Sequence, residues 1–162
     1  MTARRAQVLD RTHTAYRIGD PDGAYPIYDA TGSRLYPGRW NTPATPVIYA
    51  SQHYSTAMLE KLAHGSGQMP PNQHFVEITI DAGVSYEVFS VGHNPGWDLP
   101  DARVAKAFGE AWVREGRSAI LLAPSLVARM EQNIVINPAH PDAARIRHGL
   151  HQPVWWDRRL FG

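Results

Sequence analysis

The chain contains no cysteine. That excludes a disulfide framework, a thiolate nucleophile, an iron–sulfur cluster and every thiolate zinc site, so any chemistry rests on oxygen and nitrogen groups. Lysine is almost missing too: of 16 basic residues only Lys61 and Lys106 are Lys, and the other 14 are Arg. Net charge is equally scarce. Against 15 acidic residues the formal balance is +1, and dividing the chain after Asp81 gives 7 basic and 7 acidic residues, then 9 and 8. Neither half carries a one-sided field that would draw in nucleic acid or an anionic membrane surface. Long apolar runs are absent as well. The longest mostly apolar segment, Ala119 to Ala128, is broken by Pro124 and Ser125, and it is far short of the ~20 residues of a membrane helix. The opening MTARRAQVLDRTHTAYR lacks the apolar stretch of roughly 7 to 15 residues that marks a secretory signal. A cytoplasmic location is therefore expected.

What is present points to a folded, turn-rich protein. The chain of 162 residues is 43% hydrophobic, with 5 Trp, 7 Tyr and 4 Phe, and it holds 13 Gly and 13 Pro. That length favours one domain over residues 1–162, with a core large enough to fold without staples. Residues 12–18 (THTAYRI) read as an early strand closed by Gly19-Asp20-Pro21-Asp22-Gly23. Residues 24–46 read as a long irregular stretch, a length that in a compact domain usually serves function. Residues 47–50 read as a short strand, and Ser51 as a cap for a helix over residues 53–64. At about 100° per residue, Tyr54, Met58, Leu59, Leu62 and Ala63 form its apolar arc. Glu60 lies opposite with His53, Ala57 and His64 and should face solvent or a cleft. Residues 74–80 alternate as a half-buried strand, with residues 84–90 expected beside it. A second helix over 101–115 has Val104, Phe108, Ala111 and Trp112 as its stripe, and late strands are expected over 118–123 and 133–136. Strands without βαβ regularity predict an α+β fold with mostly antiparallel twisted sheets and flanking helices.

Dinucleotide fingerprint, P-loop, HExxH, EF-hand and GxSxG spacings are all missing. His148 and His151 are spaced for one helical face, but Gly149 and Pro153 argue against a helix there, so no metal is expected. What remains is a set of polar and aromatic residues at strand ends and in the long loop: Arg17, Arg39-Trp40-Asn41, Tyr49-Ala50-Ser51, Glu60, Ser125 and Asn133. Singly, each has an ordinary structural role open to it. Arg17 suits a strand edge, Trp40 a core anchor and Glu60 a solvated helix face.

In order and spacing these motifs are more specific. The run GSRLYPGRWNTPATPVIYASQHYSTAMLEKLAH, followed by SAILLAPSLVARMEQNIVINPAHPD and VWWDRRLF, resembles the RES domain family, named for its Arg, Glu and Ser, over residues 16–161. The chain departs from the family pattern at Ala44-Thr45, where a Gly is expected. The resemblance implies an ADP-ribosyltransferase-like fold and the toxin of a bacterial toxin–antitoxin pair. Its partner would be an Xre-type antitoxin covering the active site, and a homodimer is left open. It implies NAD+ as substrate, with no separate cofactor. Some members split NAD+ with water or phosphate, and others transfer ADP-ribose to a protein. Matched residue by residue, the family's functional positions are Arg17, Arg39, Tyr49, Glu60, Ser125 and Asn133.

Those residue types suit the implied chemistry. Arg forks bind phosphate oxygens, so Arg17 and Arg39 are expected on the pyrophosphate. A carboxylate stabilises an oxocarbenium-like sugar and orients a nucleophile, the role expected of Glu60. Tyr49 would stack on nicotinamide or donate its hydroxyl, Trp40 would line the pocket, and Ser125 and Asn133 would bond the ribose or carboxamide. A non-catalytic docking module built on the aromatic loop is the alternative from another class.

Overall fold

Apolar residues at period two build both faces of the sheet. In the computed structural model, which describes residues 6–162, Ile134 and Ile136 enter one buried cluster while Val135 between them enters another. Ile120 and Leu121 divide in the same way, as do Ile48 and Tyr49. Such a strand is apolar on both sides, which fits a sheet covered on both faces. Part of the N-terminal reading falls on residues 1–5 and lies outside the described residues.

The elements in order are β1 (Gln7–Val8), β2 (His13–Gly19), α1 (Thr31–Leu35), β3 (Ile48–Ser51), α2 (Tyr54–His64), β4 (His74–Ile80), β5 (Ser85–Val88), α3 (Arg103–Arg114), β6 (Ile120–Pro124), β7 (Gln132–Ile136), β8 (Ile146–His148) and β9 (Gln152–Pro153). Among the described residues the nine strands form one sheet in the order β1-β5-β6-β7-β3-β2-β4-β8, with β9 also on β4. All pairings there are antiparallel except β5 with β6. The expected α+β class with mostly antiparallel pairing is what the chain adopts.

Three local expectations are corrected. Residues 84–90 do not pair with β4. The Leu9 amide donates to the Val84 carbonyl and the Gly83 amide to the Leu9 carbonyl, so the chain turns away at Gly83 and β5 joins β1 and β6 instead. The irregular stretch 24–46 contains the short helix α1. Ser51 is no cap: α2 begins after His53 without a side-chain cap, and the Ser51 hydroxyl is used elsewhere.

The central feature of the sheet is a fork. β2 and β3 share a single pair among the described residues, Tyr16 opposite Ser51. A continuous ladder would next set Arg17 opposite Ala50, yet β2 goes on with β4 and β3 with β7. The Arg17 side chain fills the opening, its Nη1 donating to the Tyr49 carbonyl at 2.9 Å and its Nε to the Ile27 carbonyl at 2.6 Å.

On one side of the fork lies α2. Ala57 is buried against Ile18, with Tyr54 edge-on to Tyr16 and Phe75. Leu59 is exposed, so the buried face of α2 is rotated from the predicted arc and centres on the small Ala57. A small residue lets the helix approach the sheet closely. On the other side α3 covers β6 and β7 through Trp112, Phe108 and Val104. Trp112 is fully buried, and its Nε1 donates to the Ser118 hydroxyl at 2.7 Å, which satisfies the indole nitrogen.

Candidate active site

Antiparallel register gathers the polar strand ends at the fork. Ser51 ends β3 opposite Asn133 of β7, and Asn133 in turn faces Ala123 of β6, whose strand runs out at Pro124-Ser125. Glu60 sits one turn beyond Ala57 on α2 and meets this group. Its Oε1 accepts from the Ser125 hydroxyl at 2.8 Å and from the Asn133 amide nitrogen at 2.8 Å. No hydrogen bond engages its Oε2 among the described residues. Two charge-assisted bonds on one oxygen fix the carboxylate and leave the other oxygen available. Glu60 is thus half-buried against the polar ends of β6 and β7, off the apolar arc expected for the helix.

Arg17 stands at the same fork. Burial pushes its guanidinium below its ordinary value, with Tyr25, Asp29 and Tyr49 acting in the opposite sense. Two of its donors hold backbone carbonyls, while Nη2 has no hydrogen bond among the described residues. It therefore both braces the fork and retains part of its planar donor set.

The GRWN loop is organised by Asn41, which the sequence marks as part of that motif without indicating its role. Asn41 is fully buried. Its Nδ2 donates to the carbonyls of Ser33 and Thr42, and its Oδ1 accepts from the Gly38 amide and from the Tyr49 hydroxyl at 2.6 Å. The Tyr49 hydroxyl also accepts from the Trp40 amide at 3.1 Å, so both of its hydrogen-bonding functions are occupied. Burial pushes that hydroxyl well above the usual phenol range. Of the two roles considered for Tyr49, ring contact is the one this arrangement leaves. Gly38 is required there, because a Cβ would lie 2.7 Å from the Tyr49 ring.

Two expected site residues are anchored away from Glu60, Trp40 wholly and Arg39 through one nitrogen. Trp40 is buried in an aromatic cluster, its ring 4.6 Å from Phe89 and 6.3 Å from Trp97 between centroids; it anchors the loop and does not line an open pocket. Arg39 donates through Nη1 to the carbonyls of Trp97 at 3.0 Å and Leu99 at 2.8 Å. That ties the GRWN loop to the turn after β5, and no hydrogen bond joins Arg39 to Glu60, Ser125 or Asn133. Lys106 of α3 closes the assembly by donating to the Gly38 carbonyl at 2.8 Å. Of the histidines considered, His148 lies in β8, and His151 places Nδ1 3.0 Å from Nδ1 of His74. Among the described residues no group of three or more His, Asp or Glu gathers to hold a metal.

The Tyr49 contacts set a measurable stability. Tyr49→Phe removes a donor to buried Asn41 and an acceptor for the Trp40 amide, and leaving such groups unpaired costs about 1–3 kcal/mol. Urea unfolding should show that loss with an unchanged m-value; unaltered stability would mean that the hydroxyl does not hold the loop.

The RES domain family model matches residues 14–157. The chain is 38% identical over 157 residues, 93% of its length and 98% of the relative's, to a protein of Sphingobium sp. (strain YBL2) named Prs ADP-ribosylating toxin. Two proteins named Toxin Res, from Pseudomonas putida and Photorhabdus laumondii, are 29% and 26% identical, covering 85% and 78% of this chain and 95% and 83% of their own. Among solved structures, the crystal structure of the M. tuberculosis MbcT–MbcA toxin–antitoxin complex contains a chain with the same fold. Its TM-score is 0.71 at 15% identity, over 90% of this chain and 85% of that one. With the family pattern spanning nearly all of the sheet and Glu60, Ser125 and Asn133 together, the chain belongs to the RES domain family.

Proposed function

We propose that this protein is the toxin of a toxin–antitoxin pair and acts by consuming NAD+, breaking the bond between nicotinamide and ribose. The observation that carries the reading is the Glu60 carboxylate, held through Oε1 by Ser125 and Asn133 with Oε2 unengaged, at a fork braced by Arg17. The relatives' names agree with it.

In this reading the carbon–nitrogen bond breaks with its electron pair leaving on nicotinamide, which departs neutral from a cationic precursor. Positive charge then grows on the sugar. A fixed carboxylate next to it stabilises that charge without reorganising during the step. Oε2 also orients the incoming nucleophile and takes its proton. The free Nη2 of Arg17 binds a phosphate oxygen of the pyrophosphate, and the remaining donors of Arg39 meet the substrate at the GRWN loop. The Tyr49 ring forms a wall of the cleft. Arg39→Ala should therefore raise the KM for NAD+ about tenfold with a smaller change in kcat, because a bound phosphate contact is lost in ground and transition states alike. A change confined to kcat would contradict that role.

An antitoxin of Xre type is the partner in this reading, closing the cleft from solvent. Exposed Leu59 on the Glu60 helix, with exposed Val127 and Met130 in the turn after Ser125, supplies an apolar rim for such a cover. Transfer of ADP-ribose to a protein is the second reading, favoured by the name of the Sphingobium relative. The test has two parts. Expression of the gene alone should arrest growth, and coexpression of its antitoxin should restore it. Incubation with NAD+ and water, phosphate or lysate separates the acceptors: ADP-ribose, ADP-ribose 1-phosphate or a labelled protein. Normal growth together with intact NAD+ in every arm would overturn the proposal.

A further inference from the structure

We propose that Ser51 is a positioning residue for Glu60, acting through Asn133. Ser51 is 4% exposed and sits at the apex of the fork, paired on one side with Tyr16 and on the other with Asn133. Its hydroxyl donates to the Asn133 Oδ1 at 2.8 Å, while the Asn133 Nδ2 donates to the Glu60 Oε1 at 2.8 Å. An amide side chain has a donor end and an acceptor end. The donor end can face Glu60 only while the acceptor end is claimed from behind, and Ser51 makes that claim. Without it, a half-turn of the amide would aim oxygen lone pairs at a carboxylate. Ser125 is fixed by the same logic: its Oγ accepts from the Ala128 amide at 3.1 Å, so its hydrogen is directed to Glu60. Each of the two donors on Oε1 thus has its polarity set by a third group, and Oε2 is left for substrate.

The catalytic consequence rests on the NAD+-cleaving reading, whereas the geometric one does not. Ser51→Thr keeps the hydroxyl and adds a methyl, and Ser51→Val has the same shape without the hydroxyl. The Asn133 side-chain amide signals in a ¹H–¹⁵N spectrum, assigned by their loss in Asn133→Asp, should persist in Ser51→Thr and move in Ser51→Val. In nicotinamide release, Ser51→Val should lose about tenfold in kcat with KM for NAD+ within about twofold, and Ser51→Thr should retain the wild-type rate. Unmoved Asn133 amide signals in Ser51→Val overturn the proposal whatever the rates. If the wild type releases no nicotinamide, the functional reading fails and the amide signals alone decide this one.

Discussion

Glu60→Gln is expected to lower nicotinamide release by at least about a hundredfold, the scale on which removal of one preorganised charge-stabilising group acts. The substitution keeps size and shape. The carbonyl oxygen of the new side-chain amide still accepts from Ser125 and Asn133, so the hydrogen-bonded frame around the Oε1 position survives. What disappears is the negative charge at Oε2, together with its capacity to take a proton from the nucleophile. Only the interaction that strengthens as the sugar becomes cationic is lost, so kcat should fall while NAD+ binding changes little. The variant should unfold at the wild-type temperature, and its expression should no longer arrest growth. Wild-type turnover in a folded Glu60→Gln protein would remove Glu60 from the mechanism.

The largest structural effect is expected at Gly109, a helix position where alanine would ordinarily stabilise by about 1 kcal/mol. Here the sign reverses. A Cβ on Gly109 would lie 1.7 Å from the Trp40 carbonyl oxygen and 2.6 Å from its carbon, so helix and loop backbones touch and neither has a flexible end that can yield. One turn earlier on α3, Lys106 donates to the carbonyls of Gly38 and Asn41, so pushing the helix away also unseats the loop. Overpacking of this kind costs about 3 kcal/mol, which lowers Tm by roughly 6–12 °C in a domain of this size. Because the GRWN loop holds Tyr49 and Arg39, nicotinamide release should fall with stability. A melting temperature at or above the wild-type value in Gly109→Ala would show that α3 and the loop are not in this contact.

Legibility of the sequence follows how local each signal is. β2, β3, β4 and β7 are readable because a run of β-branched, aromatic or other apolar residues, alternating in β4, is a property of neighbouring residues. The pairing of β5 is not, since a short link after β4 suggests a hairpin, and only the distant Leu9 and β6 show where the strand goes. The buried face of α2 differs from the expected arc because hydrophobicity favours Leu59, whereas close approach to the sheet favours Ala57. The site divides in the same way. That Glu60 stands off the apolar arc follows from its place on the helix. That Asn41 organises the loop, that the Tyr49 hydroxyl is occupied and that Arg39 holds the carbonyls of Trp97 and Leu99 does not, because those partners lie across the fold. Ser51 reads as a cap since serine before a helix usually is one, and its true partner on β7 has no local signature.

The most direct measurement is the amount of free nicotinamide released from NAD+ by the purified chain, followed by chromatography with and without phosphate and compared with Glu60→Gln. One nicotinamide is expected for each NAD+ lost in the wild type, and almost none in the variant. NAD+ that stays intact with the wild type, even when phosphate and lysate are supplied as acceptors, would contradict the proposed function.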